Sequence, residues 1–258
     1  MRAFAYVKCG RDHENGICED TVLLGHTIHK CGYLEMELED PFVVGIADGV
    51  GGSAHGEMAS GMTMLGLSQM PVDSVSSDYF KTFVSELNRE VTEVGMANHK
   101  YHGMASTLTA MVYSGEECFV GQVGNTRLYQ VVDLGFAEQV VQITEDHNRI
   151  NDFRRGIDVP EGLEIESIEG TPQAEYLTSY IGMPESYFLR RFEMVKDLDT
   201  SMVKRFFLTS DGVHDYIPPE LLQQLMQSQE NPRTILENIV DAALQGGSRD
   251  DISVIMVQ

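Results

Sequence analysis

Three acidic turns hold the chemistry that this sequence makes available. Asp48-Gly49 follows the apolar run Phe42–Ala47, Asp211-Gly212 follows residues 206–210, and Asp250-Asp251 precedes Ile252–Val257. A carboxylate at a strand end is aimed by rigid backbone. Three aimed carboxylates would make an oxygen-rich cage for a hard divalent cation such as Mg²⁺ or Mn²⁺. Two of the acids follow their strands and the third precedes its own. A last strand antiparallel to the other two would therefore bring all three to one sheet edge. One Asp-Gly alone reads as a turn; the weight lies on the set.

The elements that must position these acids can be read from the pattern. Residues 42–47 form a buried strand. Residues 57–69 form a helix whose small residues Ala59, Ser60, Gly61 and Gly66 allow close packing on a sheet. Asp78 is a candidate cap for a second helix reaching about Met96, with Phe80, Phe83, Val84, Leu87, Val91 and Val94 on one face. Strands at 106–113, 117–123, 127–132 and 139–143 are separated by short turns and read as a β-meander. Residues 145–198 are polar and irregular, with Pro160, Gly162, Gly170 and Pro172. Pro218-Pro219 opens a helix to about Met226, Asn231 caps another that begins with Pro232, and Ile252–Val257 closes the chain as a strand. Paired helices around mostly antiparallel strands argue for layered α and β elements and against a βαβ repeat.

Composition narrows the function. No linker, repeat or low-complexity block divides the 258 residues, so a single domain spanning 1–258 is expected, and 42% apolar content suffices for a core. Forty acids against 18 bases give a net charge of −22. Such a surface repels nucleic acid and anionic membranes, and a phosphate site would need positive charge supplied locally, as by a bound metal. No signal pattern and no membrane-length apolar run is present, which makes the cytoplasm the default location. Cys9, Cys18, Cys31 and Cys118 form no Cys-x-x-Cys pair or zinc-finger spacing and read as reduced thiols.

In order along the chain come Glu19-Asp20, VVGIADGVGGSAHGEMAS (43–60), MASTLTAMV (104–112), FVGQVGNTRLYQV (119–131), ITEDHNRI (143–150), YLTSYIGMPE (176–185), LTSDGVHDYI (208–217) and GGSRDDISVIMV (246–257). In order and spacing these resemble the motifs of the protein phosphatase 2C family, the metal-dependent protein phosphatases. The resemblance runs from about Glu14 to the C-terminus and points to a compact, bacterial-type catalytic domain.

It implies an α+β fold of two packed antiparallel β-sheets flanked by pairs of α-helices, a four-layer αββα sandwich, with a flap at about 145–198. It implies two Mn²⁺ or Mg²⁺ ions sharing Asp48, a backbone carbonyl from Gly49, Asp211 and Asp250 on the second ion, and Glu19 and Asp20 acting mostly through metal-bound waters. The implied activity is hydrolysis of phosphoserine and phosphothreonine in proteins by a metal-bridging water. Two cations suit that reaction because they acidify the water and neutralise the phosphoryl oxygens. The implied partners are a phosphorylated protein and a cognate serine/threonine kinase, with no nucleic acid or membrane, and a monomer is expected. Gly51 and Gly52 fit a tight turn near the metals, and Glu57 suits the start of its helix.

Three departures from the family pattern bear on substrate handling. The usual phosphate-gripping arginine is Asn15 here, with Arg11 and His13 nearby as replacements or as plain solvated loop residues. The usual histidine after the metal turn is Ser53, with His55 two residues on as the candidate proton donor. The usual Asp after the central strand is Asn125, leaving Asp215 as a ligand for a third ion that should be weak or absent. His147 and His214 read as structural. These departures keep two alternatives in play: a catalytically weak phosphatase-like binding module, and a metal-dependent hydrolase of small phosphoesters.

Overall fold

The computed structural model describes all residues except 12–15, 51–54, 73–74, 115–116, 186, 189–192 and 196–198, and only the backbone of 193–195. Gly51, Gly52 and the departures at Asn15 and Ser53, together with His13, lie outside the described residues.

Among the described residues, twelve strands make two six-stranded sheets in which every pairing is antiparallel. The strands of the first sheet are, in spatial order, β4 (Gly32–Glu37), β1 (Arg2–Lys8), β12 (Ile252–Val257), β11 (Val203–Thr209), β8 (Arg127–Asp133) and β9 (Glu138–Gln142). Those of the second are β10 (Glu193–Val195), β7 (Cys118–Val123), β6 (Leu108–Tyr113), β5 (Phe42–Ala47), β2 (Thr21–Leu24) and β3 (Thr27–His29). Helices α1 (Gly56–Ser68) and α2 (Ser77–Ala97) cover the second sheet. Helices α4 (Asp211–His214), α5 (Pro219–Met226) and α6 (Pro232–Gln245) belong to the first. A short helix, α3 (Arg149–Arg154), lies in the flap.

The period of two along each central strand sorts its side chains into different cores. In β5, Val43 and Ala47 pack toward α1 and α2, while Val44 and Ile46 pack between the sheets. In β12, Ile255 and Val257 join the inter-sheet core, while Val254 and Met256 pack with the helices of the first sheet. Both faces are therefore dry. This explains why these strands are continuous apolar runs rather than alternating ones. The result is the α+β, four-layer arrangement that the resemblance implies.

Two sequence expectations need correction. The strands from 106 to 143 are not one meander: β6 and β7 lie in the second sheet, β8 and β9 in the first. The chain changes sheets at Gly124–Thr126. Gly124 takes a φ of +105° there, and Thr109 bonds the Thr126 carbonyl at 2.8 Å. Strand alternation cannot reveal such a change because both sheets share the same period. The cap of α2 is Ser76, not Asp78; its hydroxyl accepts the Tyr79 N–H at 3.2 Å.

Candidate active site

The three acidic turns meet, but not on one sheet edge. Asp211 follows β11 and Asp250 precedes β12, and these strands are antiparallel neighbours with Thr209 opposite Val254. Asp48 follows β5 in the other sheet. The cluster therefore spans both sheets at one end of the sandwich. It lines a cleft of about 560 Å³ with Gly49, Thr107 and Asn125 on the floor side, and Arg149, Glu175, Tyr176 and Tyr180 from the flap side.

Asp48 and Gly49 are clamped through their backbones. The Asp48 N–H donates to Thr107 Oγ1 at 3.0 Å, and its carbonyl accepts from Thr107 N at 2.7 Å and Ser106 Oγ at 2.9 Å. Gly49 donates to the Glu19 carbonyl at 3.2 Å and lies against the start of α1. A Cβ at Gly49 would fall 2.5 Å from the Gly56 backbone, so the residue must be glycine for the helix to approach. Gly212 is equally constrained: a Cβ there would meet the Asp251 carbonyl oxygen at 1.9 Å. The Asp-Gly pattern thus marks where backbone is packed against backbone beside the acids.

Asp251 plays a part that its sequence neighbour Asp250 obscured. Its carboxylate accepts the N–H groups of Gly10 at 2.6 Å, Glu19 at 2.5 Å and Asp20 at 3.3 Å. It ties the N-terminal acidic pair to the start of β12. Ser60 adds a hydroxyl bond to the Glu19 carbonyl. Glu19 and Asp20 are thereby delivered to the cluster from a loop more than two hundred residues away in sequence.

The electrostatics suit a cation. Asp20 is 1% exposed and neither carboxylate oxygen has a well-formed hydrogen bond, although the Ser210 and Ser253 hydroxyls lie nearby. Burial, then the charges of Asp251 and Asp211, hold its carboxyl well above the usual carboxylate range. Burial and the charges of Asp211, Asp20 and Asp250 do the same to Asp48. Asp211 Oδ2 accepts from Asn125 Nδ2 at 2.9 Å, while Asp211 Oδ1 and Asn125 Oδ1 are buried without partners. Buried oxygens that lack donors, crowded among like charges, are the donor set that a hard divalent cation satisfies.

The remaining predicted residues sit differently. Asp215, one turn past Asp211, does not line the cleft. Burial and Asp211 push its carboxyl up to about 7, an effect that solvent softens because the side chain is 56% exposed. His55 opens α1 in the left-handed region at φ 62°, bonds Glu57 Oε1 at 2.9 Å through Nδ1, and meets the Tyr101 ring edge-on. It also lies off the cleft lining, as does Arg11, whose side chain is exposed and whose N–H donates to the Arg249 carbonyl.

His147 and Gly124 exchange bonds, Gly124 N–H to Nδ1 at 3.2 Å and His147 N–H to the Gly124 carbonyl. His214 bonds the Thr209 hydroxyl, and burial keeps it well below the ordinary imidazole range. Arg149, Glu175, Tyr176 and Thr107 are lining residues to which sequence reasoning gave no role. The motif ITEDHNRI contains Arg149, but nothing in its spacing marks that side chain.

Known proteins share this arrangement at low identity. No family model matches the chain. It is 23% identical over 241 residues to serine/threonine phosphatase Stp of Listeria innocua, covering 90% of each chain. It is 25% identical over 221 residues to protein phosphatase PhpP of Streptococcus pneumoniae, covering 82% of this chain and 83% of that one. Among solved structures, serine/threonine phosphatase Stp1 from Staphylococcus aureus superposes with a TM-score of 0.77 at 19% identity, over 98% of this chain and 93% of that one. The serine/threonine phosphatase PstP/Ppp of Mycobacterium tuberculosis does so at 0.72 and 21%, over 99% and 98%. In its ordered motifs, its two-sheet fold and its likeness along nearly the whole sequence, this chain is similar to bacterial serine/threonine phosphatases.

Proposed function

We propose that the chain is a metal-dependent protein serine/threonine phosphatase. The observation that supports this most directly is the cleft itself, where carboxylates from both sheets present buried oxygens without donors beside an open cavity. Two Mn²⁺ or Mg²⁺ ions would be held by Asp48, the Gly49 carbonyl, Asp211 and Asp250, with Glu19 and Asp20 at the rim of the same cage. Bound there, the cations supply an activated water and neutralise the phosphoryl oxygens, so the reaction needs no covalent nucleophile from the protein.

The chain's own part is to aim the carboxylates through clamped backbone, and to keep them crowded and partly dry so that cation binding relieves their repulsion. A third ion, if held at all, would find Asn125 already bonded to Asp211 and an exposed Asp215, a poor pair for a charged ligand. His55 has a partner in Glu57 and stands off the lining, so leaving-group protonation is not assigned to it. Phosphoserine and phosphothreonine in proteins are the proposed substrates, which places the chain after a protein kinase that makes them.

No helix among the described residues is long and apolar enough to cross a membrane. The test is hydrolysis of p-nitrophenyl phosphate and a phosphothreonine peptide with and without Mn²⁺, for the wild type and Asp211→Asn. Mn²⁺-dependent turnover that Asp211→Asn abolishes is expected. A wild type inert with every divalent cation would point instead to a binding module, and turnover of the small ester alone to a small-phosphoester hydrolase.

A further inference from the structure

The geometry points to Arg149 as the residue that grips the substrate's phosphoryl group, an assignment that rests on the phosphatase reading of the cleft. The chain carries a net charge of −22, and the cleft is lined by Asp48, Asp211, Asp250 and Glu175. A phosphate monoester approaching it meets like charge. Cations on the floor offset part of this, but the flap side also needs positive charge where the ester enters. Among the described lining residues Arg149 is the one cation.

Its neighbours show that this is not an ordinary structural arginine. Arg154 is paired with Glu169, Arg155 with Glu145, and Arg127 lies in a two-bond pair with Asp146 at 2.9 and 2.6 Å. Arg149 alone of these has no carboxylate within ion-pair reach among the described residues. Glu175 lies on the same wall of the cleft yet spends its carboxylate on Asn148 Nδ2 at 2.8 Å. What Arg149 has is a platform: its guanidinium carbon stands 5.2 Å from the centroid of the Tyr176 ring. A half-buried guanidinium, stacked and without an anion, retains its forked set of N–H donors for a ligand. Two oxygens of a phosphoryl group match that fork.

The position is also fixed. The Arg149 N–H donates to the Tyr176 carbonyl at 3.0 Å, Asn148 and Leu177 form a β-bridge, and the Thr178 N–H donates to the His147 carbonyl at 2.9 Å. Arg149 and its aromatic platform are thus held by the pinned base of the flap rather than by its exposed tip. Little order has to be acquired when the anion binds. Arg11, the basic residue that sequence proximity suggests, has no such placement.

The experiment compares wild type, Arg149→Lys and Arg149→Met in saturating Mn²⁺. It measures kcat and KM for p-nitrophenyl phosphate and for a phosphothreonine peptide, the inhibition constant of inorganic phosphate, phosphate binding by calorimetry, and Tm with and without Mn²⁺. A charge-assisted pair lost from the bound state should raise KM for both substrates and the phosphate constants about tenfold in Arg149→Met. Arg149→Lys should fall between, while Tm and Mn²⁺ affinity stay at wild-type values.

The inference is overturned if Arg149→Met leaves KM and phosphate binding within about twofold of wild type. It is also overturned if only the peptide KM rises, since Arg149 would then read the peptide and not the phosphoryl group. A lowered Tm in both variants would likewise assign the residue a structural role. If the wild type turns over neither substrate, the phosphatase reading fails by itself, and phosphate calorimetry still decides whether Arg149 binds the anion.

Discussion

The floor of the cleft is built from strand ends, whereas the flap above it runs out into turns. Asp48, Asp211 and Asp250 each adjoin a strand whose neighbouring residue is essentially inaccessible: Ala47 and Thr209 at 0%, Ile252 at 1%. Their supports come from far away in sequence, as in the bonds from Gly10 and Glu19 to Asp251. The flap from about 155 to 172 is mostly exposed, and its backbone bonds are local: Leu163 to Pro160, Ser167 to Glu164, Thr171 to Ile168. The flap's base is joined to the body through the Ile181–Ser106 pairing, the His147–Gly124 bonds and Asn88, whose side chain bonds Gly182 and Met183. A floor of long-range contacts holds charges where they repel each other. A flap tip of local contacts can follow a substrate. The expected split is that floor substitutions change metal binding and stability together, whereas flap substitutions change substrate handling alone.

The largest effect should come from Asp48→Asn. Removing the carboxylate that faces both sheets' acids should lower Mn²⁺-dependent turnover by well over 100-fold, beyond the 10–100-fold typical for an outer-sphere partner. The same substitution should raise the Tm of chelator-treated protein, because it removes a half-buried carboxylate crowded by Asp211, Asp20 and Asp250. Activity assays and thermal scans in excess chelator test both halves. An unchanged or lower Tm would mean that the floor is not under charge repulsion. Asp251→Asn comes next. It keeps the shape but weakens an acceptor of three backbone N–H groups, so Mn²⁺ affinity should fall about 10–100-fold by calorimetry. Wild-type affinity would leave Asp251 with no part in placing Glu19 and Asp20.

A smaller effect follows from pH. Asp20 and Asp48 are raised in the folded protein relative to their ordinary carboxylate values, so the native state binds more protons than the unfolded chain. Their contribution to the stability of metal-free protein is fully present below the unfolded pKa and is lost as pH climbs through the raised folded values. With chelator, Tm should therefore fall from acidic toward neutral pH. With Mn²⁺ the trend should reverse, because the cation binds only the ionised oxygens. Chemical denaturation across that pH range, with and without Mn²⁺, checks the sign. Parallel curves would show that the carboxylates and the cation site are unrelated.

Much of the floor was legible in the sequence because its chemistry is local. An acidic turn at the end of an apolar run is a short-range pattern, and each of the three such sites occupies the predicted strand end. Their meeting across two sheets was not legible, since β5 and β12 carry the same apolar signature in different sheets. The edge strands Thr27–His29 and Gly32–Glu37 gave no signal because they are short or half exposed. Arg149 was hidden for a different reason. Its significance lies in what fails to pair with it, and an unpaired charge becomes visible only once Glu145, Asp146 and Glu169 are seen to be engaged with other arginines.

The smallest expected effect tests the flap's tip directly. Arg154 and Glu169 form an ion pair across the flap, with side chains 50% and 55% exposed. Exposed pairs of this kind contribute less than about 1 kcal/mol, because solvent screens them and the long side chains lose freedom on pairing. Glu169→Gln should therefore leave denaturant-derived stability within that margin, and Mn²⁺ affinity unchanged. Loosening the flap's tip should still alter KM for a phosphothreonine peptide more than for p-nitrophenyl phosphate, since only the peptide is long enough to lie along it. A stability loss well above 1 kcal/mol would place the flap's tip in the same rigid class as the floor. The contrast between a clamped cation cage and a locally folded, substrate-facing flap would then have to be abandoned.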